Sequence, residues 1–171
     1  MRRIALIGSA SALVLGLVGG LSSSVASQAA EPAAAKANTL TFDVTFSPFT
    51  VIAANNERDP EFPFSVGDEI VFRDQLFSKG KQVGDDAGSC VIVTLRPEVV
   101  ANCTGVFRVP GGTIAAQFLS MPGPAPKDLA LTGGTGAYRN SGGEGTLVEF
   151  GNGTGSLTMR VLSFVARGGG H

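Results

Sequence analysis

The chain has 171 residues, enough for one domain of ordinary size, with 43% hydrophobic and 16% charged residues. That balance excludes an intrinsically disordered chain, and a formal net charge of −1 leaves no basic surface for nucleic acid. Trp is absent and the only His is His171, which excludes mechanisms that need an internal imidazole: a Ser-His-Asp triad, a Cys-His dyad, an ordinary zinc site.

Arg2 and Arg3 precede an apolar run from Ile4 to Leu21. Small residues follow, and Ser27-Gln28-Ala29 fits a small-x-small cleavage site. Residues 1–29 therefore read as a secretory signal peptide of the general export route. Gly and Ser interrupt the apolar run, which disfavours a retained membrane anchor, and no Cys follows it to carry a lipid. Residues 30–37 read as a flexible leader. The globular domain is then 38–171, placed outside the cell.

The rest reads as strands. Thr39 to Phe46 sets Leu40, Phe42, Val44 and Phe46 against Thr41, Asp43 and Thr45, the period-two pattern of a half-buried strand. Thr50 to Ala54 forms a short second strand, and the polar Asn55 to Pro63 a loop. Asp68 to Phe77 alternates again, with Ile70, Phe72, Asp74 and Leu76 on one face. Asp85-Asp86, between Gly84 and Gly88, reads as a solvated turn; two adjacent carboxylates without a third ligand make a poor cation site. Ser89–Leu95 and Val99–Val109 flank a turn at Arg96-Pro97-Glu98. Further strands are expected at Thr113–Leu119, Leu129–Thr132, Glu144–Phe150 and Ser156–Val165, the last two joined by a turn at Gly151-Asn152-Gly153-Thr154-Gly155. About eight short strands with no sustained helical period imply an all-β barrel or sandwich. The glycine clusters do not form nucleotide motifs. Asn102-Cys103-Thr104 and Asn152-Gly153-Thr154 fit glycosylation sequons.

A hairpin turn at Arg96-Pro97 pairs Leu95 with Glu98 and, counting back, sets Cys90 opposite Cys103. Directly opposed residues are close enough for a bridge, and an exported protein keeps one. The expectation is a structural Cys90–Cys103 disulfide; the alternative is a thiol facing a ligand cavity. Asp74 on an apolar stripe is costly if buried unpaired. It is either a cavity carboxylate with a raised pKa or an Asp near a barrel end, solvated or paired with an arginine such as Arg108, which shares a face with Thr104 and Val106.

Three blocks together resemble the allene oxide cyclase and dirigent superfamily. They are Asn56-Glu57-Arg58-Asp59 with Val66-Gly67-Asp68 and Phe72-Arg73-Asp74-Gln75-Leu76-Phe77; Val83-Gly84 to Cys90-Val91; and Leu131-Thr132-Gly133-Gly134-Thr135-Gly136-Ala137-Tyr138-Arg139. The resemblance implies an eight-stranded antiparallel barrel with an apolar cavity, no cofactor and no metal, and homo-oligomers, trimers or dimers. Asn56 and Asp74 correspond to cavity asparagines of the cyclases, and Cys90 to their cavity cysteine. The cyclase glutamate aligns with Ala54, which argues against allene oxide cyclase activity itself. Asp74, Tyr138 and Arg139 also correspond to dirigent cavity residues, although Tyr138 and Arg139 sit in a turn-like segment that suits a structural role.

The reading that follows is an extracellular barrel that binds a small apolar molecule and acts as an isomerase, cyclase or stereocontrol protein. Asp74 and Asn56 would be catalytic, and Phe42, Phe72, Val91, Arg108, Tyr138 and Arg139 would contact the ligand. The competing reading is a non-catalytic binding or structural barrel. A carbohydrate-binding role fits less well, because sugar faces stack on aromatic rings and only one Tyr and no Trp are present.

Overall fold

A computed structural model describes residues 36–54, 60–121 and 123–163. The expected signal peptide and Asn56 lie outside the described residues, as does most of the expected leader. Ten strands run in chain order: β1 (Lys36–Thr45), β2 (Thr50–Ile52), β3 (Glu69–Phe72), β4 (Gln75–Ser78), β5 (Lys81–Thr94), β6 (Val100–Val109), β7 (Gly112–Ser120), β8 (Lys127–Gly134), β9 (Ser141–Glu149) and β10 (Thr154–Ser163). Lys36 and Ala37, read as leader, begin β1 and pair with Ser163 and Leu162.

Every pairing is antiparallel. The sheet runs β3/β4–β1–β10–β9–β8–β7–β6 and closes because β5 pairs both with β6 and with β3 and β4. β3 and β4 together make one stave of an eight-stranded closed barrel, and β2 adds to the outside of β3. Closure removes the unpaired edges of the staves, which an open sheet must protect by other means. Among the described residues no helix is long and apolar enough to cross a membrane.

One expected turn is not a turn. Gly84-Asp85-Asp86-Ala87-Gly88 lies inside β5, which at 14 residues is the longest strand. The glycines mark close backbone approach instead of chain reversal. A Cβ on Gly84 would meet the Arg108 carbonyl oxygen at 2.1 Å, and one on Gly88 the Thr104 carbonyl oxygen at 2.3 Å.

Alternation decides what fills the interior. On β6, Ala101, Cys103, Phe107 and Val109 are buried, while Asn102, Thr104, Val106 and Arg108 are exposed. One apolar cluster holds Phe42, Val44, Leu76, Ile114, Leu157 and Met159. Each fully buried aliphatic side chain of this kind contributes about 1.5–3 kcal/mol. A second cluster holds Cys90, Ile92, Ala101 and Cys103, with Ile70, Phe72 and Phe118 packed against it.

Cys90 and Cys103 are opposed in the β5–β6 ladder and joined by a disulfide. The hairpin count from Arg96-Pro97 holds through Ile92↔Ala101; next to the turn, Thr94 pairs with Val100, a one-residue irregularity. The thiol alternative is closed off, since none of the described cysteines is free. The bridge closes a loop with sequence separation 13, for which chain entropy gives a stabilisation of about 3 kcal/mol. A Cys90→Ala/Cys103→Ala protein is expected to lose about that much in denaturant unfolding. An unchanged unfolding midpoint would show that the bridge is not a stabilising element.

Candidate functional site

β3 and β4 share a single register along β5. Phe72 lies opposite Gly88 and Gln75 opposite Asp85. Between them, Asp74 falls opposite Asp86. The backbone ladder continues across the gap: the Asp74 N–H donates to the Asp86 carbonyl at 3.2 Å and the Asp86 N–H to the Asp74 carbonyl at 3.0 Å. Opposed residues of an antiparallel pair point to the same face. Both side chains are buried and both line an interior cavity of about 350 Å³.

The cavity lies between the two apolar clusters. Its walls are Phe46, Ile70, Phe72, Phe107, Phe118 and Leu147; exposed Phe49, Gly151 and Gly153 border it towards solvent. Three carboxylates reach it: Asp74, Asp86 and Glu149. Glu149 is 3.4 Å from the Lys127 ammonium, itself buried and donating to the Gly123 carbonyl at 3.0 Å. Asp74 Oδ1 accepts from the Ser47 N–H at 2.8 Å, and Asp86 Oδ1 accepts from the Asp74 N–H at 3.0 Å.

Like charges directly opposed in an apolar wall do not both ionise readily. Burial pushes the Asp86 carboxyl up to about 7, and the neighbouring Asp74 charge adds to the rise. Burial also raises Asp74, against the lowering effect of the Ser47 N–H. Near neutral pH the pair can therefore hold one proton and one charge. A protonated carboxyl beside an ionised one is a matched acid and base.

Asp85, one residue away, has the opposite fate because strand alternation turns it outward. Arg108 donates to it through Nε at 2.7 Å and through Nη2, and Arg73 donates through Nη2 at 2.6 Å. These arginine hydrogen bonds hold its carboxyl below the usual range.

The match of a sequence-family profile to residues 49–161 decides what kind of barrel this is: the profile is the allene oxide cyclase barrel-like domain. The chain belongs to that family. A solved structure named pyocyanin demethylase is 30% identical, with a TM-score of 0.63, covering 72% of this chain and 99% of that one. A nonspecific heme-binding cyclase that catalyses (4 + 2) cycloaddition in neoabyssomicin biosynthesis is 16% identical, with a TM-score of 0.62 over 80% of this chain and 71% of that one. A Diels–Alderase from Streptomyces koyangensis is 14% identical, with a TM-score of 0.56 over 78% of this chain and 72% of that one. The last two share the fold. No curated protein sequence matches.

Within this family barrel the expected site residues separate. Phe72 and Asp74 line the cavity. Phe42 is buried in the filled cluster around Leu76 and Leu157, so it builds the core. Val91 is 40% exposed and opposite exposed Asn102, because odd-numbered residues of β5 face outward there. Arg108 is on the outer face of β6 and pairs with Asp85, not with Asp74. Tyr138 is buried in the same cluster as Phe42 and donates its hydroxyl to the Pro110 carbonyl at 2.8 Å, which fits the structural role. Arg139 is exposed at the end of a one-turn 3₁₀ helix, Gly136–Tyr138. Ala54, where the cyclase glutamate would stand, donates its N–H to the buried Asp68 carboxylate at 2.9 Å.

Asp86 is not among the residues the sequence pattern marks, because Gly84 and Gly88 give its segment the look of a solvated turn, whereas it lies inside β5. Its signal was available: stepping back from inward-facing Cys90 in twos reaches Gly88 and then Asp86. Glu149 and Lys127 had no such marker.

Two outcomes follow from this geometry. Between the ordinary carboxyl value of 3.8 and about 7, the unfolded chain has released the Asp86 proton while the folded chain retains it. Stability therefore falls as pH rises through that window, by up to about 4 kcal/mol. Asp86→Asn, which keeps the acceptor oxygen, is expected to be the more stable protein at pH 8 and to lose that advantage towards pH 4. A stability difference that stays constant with pH in denaturant titrations would contradict the raised carboxyl. Second, a Cβ on Gly88 would meet the Phe72 ring at 2.6 Å as well as the Thr104 carbonyl. Gly88→Ala is expected to cost about 1–3 kcal/mol by forcing the ring towards the cavity, and unaltered stability in the same measurement would show that the strand gives way without strain.

Proposed function

We propose that this barrel binds a small apolar molecule in the Phe-walled cavity and isomerises it by proton transfer, with Asp74 and Asp86 as the acid–base pair. The observation that carries the reading is the opposition of these two buried carboxylates on the wall of an otherwise apolar cavity. The ionised carboxylate takes a proton from a carbon or heteroatom of the bound molecule, and the protonated one returns a proton at a second position. The net change is a shift of one hydrogen and a double bond, which needs no co-reactant. Phe46, Phe72, Phe107 and Phe118 hold the molecule in register and exclude water. Asn56 is assigned as a hydrogen-bond donor to the bound molecule on the family resemblance. The protein is exported after removal of residues 1–29, a route that suits the Cys90–Cys103 disulfide.

Pyocyanin is the first molecule to try, because the 30% identical structure is named for its demethylation. The test measures uptake of deuterium from D₂O into the N-methyl group of bound pyocyanin by mass spectrometry. Wild-type protein is expected to promote exchange, and Asp86→Asn to slow it about 10²–10⁴-fold. Equal exchange in wild type and Asp74→Asn/Asp86→Asn would remove the acid–base assignment. Saturable binding of the neutral dye Nile red, displaced by pyocyanin but with no exchange, would leave a binding protein without catalysis.

A further inference from the structure

The charged groups on the cavity wall are all of one sign. Asp74, Asp86 and Glu149 line it, and no Lys, Arg or His is among the described residues that do. Lys127 neutralises Glu149 from behind, buried within β8 and β9. Among the described residues that leaves the Asp74–Asp86 pair without a cationic partner: the two nearby arginines, Arg73 and Arg108, are outside the barrel and taken up by Asp85. The remaining wall is rings and aliphatic side chains. Phenylalanine faces attract delocalised cations, and most strongly where water is excluded.

We propose that the cavity selects planar heteroaromatic cations and turns away carboxylate-bearing molecules of the same shape. The proposal rests on the ligand-binding reading above and adds the charge of the ligand to it. A carboxylate entering between the Phe rings would stand beside the Asp pair in a medium of low polarity, where like charges repel strongly. A compact ammonium would leave its hydration shell at high cost. A flat cation with its charge spread over fused rings avoids both penalties: it stacks on the rings and brings positive charge to Asp74 and Asp86. The cavity, about 350 Å³, is at the small end of ligand pockets, about 300–1,000 Å³, and suits a molecule of roughly two to four fused rings.

The pH dependence has a definite sign. Cation binding favours the ionised pair, so affinity rises as Asp86 loses its proton around pH 7. The other charged groups facing it are Asp74 from the opposed strand, Glu149 from β9 with its Lys127, and Asp85, which points outward under two arginines. β6 presents the apolar Phe107 to the cavity, and the β9–β10 turn presents Gly151 and Gly153.

The test uses three fluorescent probes of one shape: 10-methylacridinium, acridine and acridine-9-carboxylate, all titrated into the exported protein at pH 8, where acridine is neutral, and the permanent cation 10-methylacridinium also at pH 5.5. At pH 8 the cation is expected to bind at least about tenfold tighter than acridine, and the carboxylate about tenfold weaker than acridine. Lowering the pH to 5.5 is expected to weaken the cation about tenfold. Asp74→Asn/Asp86→Asn is expected to bring the cation down to the affinity of acridine, with acridine binding retained as the sign that the barrel is intact. Equal affinities for all three probes, or preference for the carboxylate, would overturn charge selection while leaving the cavity as a binding site. Binding of none of them would overturn both.

Discussion

Two carboxylates that face each other across one antiparallel pair set the character of this molecule. Asp74 and Asp86 are directly opposed, joined by both backbone hydrogen bonds of their pair, and buried against phenylalanine rings. Nothing about barrel formation requires them. An apolar pair at the same positions would remove a like-charge contact and a desolvation cost, so the arrangement opposes stability at any pH where both would ionise. Costly polar groups on an otherwise apolar wall are the usual mark of a site, because chemistry needs groups poised away from their ordinary protonation state.

The surrounding barrel supplies what this pair costs. On one side lies the closely packed cluster around Leu76, Ile114, Leu157 and Met159, and on the other the disulfide with Ile92 and Ala101. The cavity sits where the two clusters meet, walled by Phe107 of the first and by Ile70 and Phe72, which pack against the second. Phe72 reaches it only because Gly88, on the strand opposite, has no side chain. Outside the wall, Asp85 with Arg73 and Arg108 cross-links β5 to its neighbours on both sides. Ion pairs whose arginines are largely exposed add little individually, but this one, made to a buried Asp85, keeps both arginines away from the interior carboxylates. The same pair of adjacent residues thus faces two ways, because successive residues of a strand point to opposite sides of the sheet.

Much of this was legible in the sequence, for a specific reason. Period two is a strong signal wherever one face is apolar, as in Thr39–Phe46, and it put Asp74 on the inner stripe of Asp68–Phe77. The two cysteines then provided an absolute register between β5 and β6, since opposed inward residues are the natural place for a bridge. What hid the second carboxylate was glycine. Gly84 and Gly88 read as turn residues, although here they allow Arg108 and Thr104 to approach the strand closely. Glycine has no side chain to show which face it occupies, so the alternation fades in the segment that carries Asp86. Val91 and Arg108 face outward, as the register of the inward Cys90 and Cys103 requires: Val91 is next to Cys90, and Arg108 is an odd number of residues from Cys103. Phe42 faces inward as expected, but at the filled end; alternation gives the side of the sheet and says nothing of the position along the barrel axis.

The placement of charge also bears on what the family likeness can carry. A shared barrel fixes the staves, the closure and the existence of an interior; it leaves the polarity of that interior open. Here the position that the cyclases fill with an amide holds Asp74, their glutamate position holds Ala54, and their cavity cysteine is tied to Cys103 in the wall. The interior carboxylates of this chain stand instead at Asp74, just before β4, and at Asp86 in β5. A carboxylate on a loop can turn towards solvent and ionise freely, whereas one held in a sheet opposite another cannot. An acid held in the wall therefore differs in chemistry from one on a loop without any change of fold: burial opposite a second carboxylate raises its pKa, on a rigid element, at a fixed distance from its partner.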